Sequence, residues 1–219
     1  RAQAWVEGVE LFEFINALWQ FPEPTLPRCM FNVMNGGMHA DGDLVFQEFL
    51  AIPKQVDFSQ ALACVDDFYH ELKKVLHEAG LGTAIGDEGG FVPVFTDNNK
   101  RPEEQALVLL QRAAEQCTWG VDSLSFGLDI AASHFYDAGA NRYRLHEQLL
   151  TAPELIELYK SLQQQFPIIS LEDGLAEDDW QGWQWLTAQL GDNVQTVGDD
   201  LLVTNTNRIQ QGLSQKAMN

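Results

Sequence analysis

Across residues 124–213, short apolar runs alternate with amphipathic stretches of helical spacing, and this alternation restricts how the second half of the chain can fold. A strand–helix–strand–helix order requires parallel strands joined by crossover helices, in an open sheet or a barrel. Three of the apolar runs end in a carboxylate: Ser125-Phe-Gly-Leu-Asp-Ile, Ile168-Ile-Ser-Leu-Glu-Asp and Val194-Gln-Thr-Val-Gly-Asp-Asp. The C-terminal ends of parallel strands are where α/β proteins assemble their active sites. Asp129, Glu172 and Asp199 gathered there would repel one another unless a divalent cation stood between them. The pattern points to a magnesium-type site.

The helices can be placed by period and by their ends. Leu62, Val65, Tyr69, Leu72, Leu76 and Ala79 recur at spacings of three and four over residues 58–79, with Gly80 to close the helix. A second helix starts at Pro102 and sets Leu107, Leu110, Ala114 and Cys117 on one face. A third opens on the capping box Thr151-Ala-Pro-Glu154 and carries Leu155, Leu158 and Leu162. Asp178 or Asp179 caps a fourth, with Trp180, Trp183 and Leu190. Asn205 caps a fifth, with Ile209 and Leu213.

Strands are expected at Phe31–Asn35, Phe46–Ile52, Leu124–Ala131, Ile168–Glu172 and Val194–Val197, with a turn or hairpin insert over 132–146. The first two strands meet before any helix intervenes, which predicts an antiparallel opening pair. A closed eight-stranded α/β barrel needs ~250 residues. Five strands in 219 residues therefore predict either a smaller open sheet or a piece of something larger.

Composition narrows the function classes. With 13 basic against 32 acidic residues and a formal charge of -19, the chain has no basic surface to neutralise phosphates, which excludes nucleic acid as a partner. The same charge disfavours anionic membrane surfaces. No apolar run is long enough to span a bilayer, and no signal peptide opens the sequence. Cys29, Cys64 and Cys117 form no Cys-x-x-Cys pair. The last two fall beside apolar helix positions, as buried thiols in a reducing, cytoplasmic compartment would. The chain starts at Arg1 rather than at methionine, so an upstream portion is expected.

Two further segments carry chemistry-bearing residues. In the first, Asn35-Gly36-Gly37 allows a tight loop at a strand end, followed by His39 and then by Gln47-Glu48 in the next strand. Adjacent strand residues face opposite sides, so Gln47 and Glu48 are not expected to share a pocket face. Taken alone, His39 reads as an ordinary loop histidine. In the second, Gly86-Asp-Glu-Gly-Gly90 holds a carboxyl at a loop tip, though by composition it also reads as a solvated turn.

Together these segments resemble the enolases, the phosphopyruvate hydratases of glycolysis. The resemblance rests on His39-Ala-Asp with Gln47-Glu48-Phe49, then Gly86-Asp-Glu-Gly-Gly90. It continues in Ser170-Leu-Glu-Asp-Gly-Leu-Ala-Glu-Asp-Asp-Trp180 and Val197-Gly-Asp-Asp-Leu-Leu-Val-Thr-Asn-Thr206. Four motifs in one order are far more specific than any single glycine loop. Gly174 and Thr206 are similar to the bacterial form. The resemblance implies an incomplete enolase-type TIM barrel opening with the antiparallel pair. Residues 1–27 would be the end of a helical link to an N-terminal domain, and 28–219 the N-terminal portion of the barrel.

It also implies roles. Asp129, Glu172 and Asp199 match the family's Mg2+ ligands. Glu88 matches the acid that protonates the hydroxide leaving 2-phosphoglycerate, with Glu48 assisting. His39 and Gln47 match positions near that small phosphorylated substrate, as do Glu48, Glu172 and Asp199. In this superfamily magnesium ions stabilise an enolate-like, charge-rich intermediate, and that chemistry comes with the resemblance rather than from spacing. A homo-oligomer, a dimer in the family, is implied as well.

Departures qualify the expectation. The family's base is a lysine on a later strand, and this sequence reaches Lys216-Ala-Met-Asn219 before it. His134 stands where the family usually has glutamate, and Met38 replaces a more polar residue. The alternative is a non-catalytic, truncated paralogue that serves as a binding or structural fragment.

Overall fold

The computed structural model describes residues 1–39, 42–97 and 100–219, with the His39 side chain also outside the description. Two short helices, α1 (Ala2–Glu7) and α2 (Leu11–Trp19), lead into β1 (Phe31–Asn35) and β2 (Glu48–Pro53). The helices α3 (Phe58–Glu78) and α4 (Pro102–Gln116) follow, then β3 (Leu124–Asp129). A small antiparallel sheet of β4 (Tyr136–Asp137), β5 (Arg142–Leu145) and β6 (Gln148–Leu150) fills the expected insert and extends it to residue 150. The chain continues through α5 (Ala152–Gln165), β7 (Ile168–Glu172), α6 (Trp180–Leu190), β8 (Gln195–Val197) and α7 (Thr206–Gln215).

The main sheet has the order β1-β2-β3-β7-β8. Its first two junctions are antiparallel and its last two parallel. This is an unclosed α/β sheet of five strands with the antiparallel opening that the sequence predicts. Strand β2 starts at Glu48, two residues later than expected. Phe46 lies fully buried beside it, 6.3 Å from Phe49 and edge-on to Tyr159 at 6.1 Å.

One apolar core joins the sheet to α3, α4, α5 and α6. Phe68, Leu72, Leu107, Leu110, Phe126, Tyr159 and Trp183 are among its buried members, and the Trp183 indole N–H donates to the Ala176 carbonyl at 3.2 Å. The helix caps form as read. The Thr151–Glu154 capping box closes the start of α5, Asp179 caps α6 and Asn205 caps α7.

Two expected helix faces are corrected. In α3 the buried stripe runs through Ala61, Cys64, Val65, Phe68, Leu72, Val75 and Leu76, while Leu62 is 47% exposed and Ala79 is at the surface. Each residue turns the helix by about 100°, so neighbours of similar hydropathy can exchange sides of the stripe. In α7 the helix packs through Gly212, next to Leu202 and Met218, and Leu213 points outward. Among the described residues no helix is long and apolar enough to cross a membrane.

Candidate active site

The register of the sheet draws one row across its rim. Asn35 pairs with Glu48, Glu48 with Asp129, Asp129 with Glu172, and Glu172 with Val197. Because β2 runs against β3, the first residue of β2 meets the last residues of β3 and β7. Residues paired across strands point to one face and sit about 5 Å apart. Glu48, Asp129 and Glu172 are therefore side by side, each half-buried.

Backbone hydrogen bonds continue the row past the strands. The Gln47 N–H donates to the Asp129 carbonyl at 3.0 Å, and the Ile130 N–H to the Glu172 carbonyl at 2.9 Å. Asp129 Oδ1 accepts from the Ala131 N–H at 3.1 Å, where Ala131 sits in the left-handed region at φ 47.

The electrostatics follow from this crowding. Two unit charges about 4–5 Å apart at an effective dielectric near 20 repel by roughly 3–4 kcal/mol, enough to displace a carboxyl by two or more pKa units. Burial, then the hydrogen bond and charge of Glu88 and the charges of Asp129 and Glu172, push Glu48 up to about 8. Burial with Asp173, Asp200 and Asp199 raises Asp129 to about 7. Glu172 is raised to about 7 by burial and by Asp129, Asp199 and Asp200.

Glu88 reaches the row from the loop after α3. Its carboxylate accepts from Asn32 Nδ2 at 3.0 Å, and it shares a side-chain hydrogen bond with Glu48. That bond favours the protonated form of Glu48, so the two carboxyls hold a proton between them.

The loop itself is fastened to β1. Asn35 Oδ1 accepts from the Gly90 N–H at 2.8 Å, and the Phe91 N–H donates to the Val33 carbonyl at 3.0 Å. Tyr69 stacks on Phe91 at 4.4 Å and donates to the Gly89 carbonyl at 2.7 Å. A Cβ at Gly90 would lie 2.4 Å from Asn35 Oδ1, so glycine is what lets the loop approach so closely.

The structure thus brings together Glu48, Glu88, Asp129 and Glu172. Asp199 lies two residues beyond β8, exposed, and acts on Asp129 and Glu172 through its charge. Gln47 is half-buried, with Oε1 lacking a hydrogen-bond partner. The His39 side chain falls outside the described residues. Among the described residues, no three or more acidic, histidine or cysteine groups are already drawn together tightly enough to hold a metal ion. The donor chemistry nevertheless fits a hard cation: carboxylate oxygens only, crowded enough to resist joint ionisation. A cleft of about 690 Å³ between Asp43, Phe95, Arg101 and His146 shares no residue with the row.

Sequence reasoning missed the way Asn32, Asn35 and Tyr69 fix the Glu88 loop, and missed Asp173 and Asp200, which add charge beside the row. The doubled acids Glu172-Asp173 and Asp199-Asp200 were the available signal for the latter pair.

Comparison with known proteins agrees with this architecture. Residues 23–219 match the family "Enolase, C-terminal TIM barrel domain". The chain is 44% identical over 195 residues to the enolase of a Nitratiruptor species, covering 89% of this chain and 45% of that protein. It therefore spans less than half the length of the curated relative it matches. With the family pattern running through nearly all of its length and laid onto the same unclosed sheet, this chain belongs to the enolase family.

Proposed function

We propose that this chain carries the cation-binding and proton-donating part of an enolase centre, which dehydrates 2-phosphoglycerate to phosphoenolpyruvate with Mg2+. The observation that carries the reading is the row Glu48–Asp129–Glu172, with Glu88 hydrogen-bonded to its first member. Asp129, Glu172 and Asp199 would hold the magnesium. When bound, the cation supplies positive charge beside the substrate carboxylate, offsetting the charge that builds on its oxygens as the neighbouring proton leaves.

The chain's own residues manage the other half of the reaction. Glu88 gives its proton to the hydroxyl departing from the substrate, which leaves as water. That proton is the one Glu88 holds jointly with Glu48 through the bond the two carboxyls share, so its transfer leaves both ionised. Gln47, with its unpartnered Oε1, and His39 are assigned to the substrate.

The base that removes the substrate's proton is, by resemblance, a lysine on a later strand. The charges acting most strongly on the row are all carboxylates. That observation favours a second reading, in which the chain binds the cation without turnover, as a non-catalytic fragment. In the first reading, residues 1–27 are the end of a helical link and 28–219 the first part of the barrel. The setting is a cytoplasmic homo-oligomer acting on a phosphorylated small molecule.

The test is a pair of measurements on the purified chain. A ligand that binds only the folded state stabilises it by about 2.7 kcal/mol at a hundred times its Kd. Magnesium should therefore raise the thermal midpoint of the chain, and Glu172→Gln should abolish the rise. No response to magnesium in the unmodified chain sinks the cation centre. Phosphoenolpyruvate formation from 2-phosphoglycerate then separates the two readings: turnover supports the enzyme, and cation binding without turnover supports the fragment.

A further inference from the structure

We infer that Asp173 is a positioning residue that ties the ends of the three carboxylate-bearing strands into one unit and so sets where Asp199 stands relative to Asp129 and Glu172. The inference rests on the cation centre proposed above and assigns Asp173 a part in it.

The geometry is specific. Asp173 follows Glu172 directly, is 4% exposed, and adopts the left-handed conformation at φ 44, which few residues other than glycine, asparagine and aspartate take. Three hydrogen bonds meet at it. Its N–H donates to the Val197 carbonyl at the end of β8, at 3.0 Å. Its own carbonyl accepts from the Ala132 N–H, just past β3, at 2.9 Å. Its Oδ2 accepts from the Asp200 N–H, the amide next to Asp199, at 2.9 Å.

One residue thus touches the exits of β3, β7 and β8. The strands bring Asp129 and Glu172 to the rim by register alone, but Asp199 lies beyond β8, where register no longer places it. The Asp173 carboxylate takes over at that point, because gripping the Asp200 amide fixes the peptide that carries Asp199.

A residue serving packing alone would not be a carboxylate here. Burying an acid is costly unless its oxygens are paired, and Asp173 Oδ1 is buried without a partner. Glycine or asparagine would suit φ 44 without burying a charge. Residues that orient metal ligands from outside the coordination shell typically cost about 10–100-fold in metal affinity when removed.

The test measures Mn2+ affinity by electron paramagnetic resonance on the intact chain and on two variants, well below each thermal midpoint. Asp173→Gly deletes the carboxyl and suits φ 44, so it is chosen over alanine to keep the fold. Asp173→Asn keeps an acceptor oxygen for the Asp200 amide and also tolerates this backbone. The expected result is a loss of about 10–100-fold in Mn2+ affinity for glycine and near-complete rescue by asparagine. Amide exchange at Asp200 should speed up only in the glycine variant.

Unchanged affinity in Asp173→Gly overturns the inference while leaving the cation centre standing. Equal losses in both variants overturn it too, since the role would then be one of charge. Failure of the unmodified chain to bind Mn2+ overturns the centre itself, and the inference with it.

Discussion

At the scale of single residues, the site depends on a few positions where the chain runs unusually close to itself. Gly90 is the sharpest case. A methyl group there would stand 2.8 Å from the Met34 backbone nitrogen as well as 2.4 Å from Asn35 Oδ1, and the backbone cannot swing aside as a side chain might. Gly90→Ala should destabilise the chain by about 1–3 kcal/mol, the usual range for overpacking, and should detach the Glu88 loop from β1. Urea unfolding would register the first effect. An unchanged unfolding midpoint would show that the loop is looser than its hydrogen bonds indicate. Glu88 was singled out through the resemblance, since by composition its glycine-flanked segment also reads as a solvated turn. The parts played by Asn32 and Tyr69 were not, because nothing in a sequence says that residues so far apart along the chain share one loop.

At the scale of elements, the capping signals carried over and the helix faces did so only in part. Thr151 and Glu154 exchange hydrogen bonds as their spacing predicts. The Thr151 N–H donates to Glu154 Oε2 at 2.8 Å, and the Glu154 N–H donates to the Thr151 hydroxyl at 3.3 Å. Thr151→Ala should cost about 1 kcal/mol, measured by equilibrium denaturation. A loss well below that would mean that packing of Leu155 and Tyr159 alone fixes the start of α5. Caps are legible because they involve neighbours in sequence. The stripe of α3 was misjudged at Leu62, because which side of a helix is buried depends on the neighbour it meets. For α3 that neighbour is α4, which lies beyond the whole Glu88 loop in sequence. The row across the sheet was hidden for the same reason. Asp129, Glu172 and Asp199 could be assigned to strand ends, but Glu48 reads as lying inside Phe46–Ile52, and only pairing shows it at the start of its strand, beside Asp129.

For the whole molecule, the pH dependence of stability joins these local facts. Glu48 at about 8, with Asp129, Glu172 and Asp173 each at about 7, all bind protons more tightly folded than unfolded, where carboxyls titrate near 4. Their contribution is therefore complete below about pH 4 and is lost as the pH rises through about 7 to 8.

His146 acts in the same direction. Its Nε2 lies 2.9 Å from Glu103 on α4, a buried carboxylate that also accepts from the Val45 N–H, and this partner raises the imidazole above its ordinary value. That contribution is complete below about pH 6.5 and is lost as the pH climbs through the raised value. The formal charge of -19 adds repulsion as these raised acids ionise. Without divalent cations, the thermal midpoint should fall between about pH 5 and pH 8, by about 2–4 °C for each kcal/mol lost. A flat or rising profile over that range would contradict the crowding described for the row.

The direction of β2 has a practical result as well. Its final residue, Pro53, lies at the end of the sheet away from the carboxylates, and the link to α3 leaves from there. A fluorophore at Val56, which is 89% exposed, would thus ride on the link from the strand that delivers Glu48 while remaining a full strand length from the chemistry. That link is the place from which to watch the sheet without disturbing it.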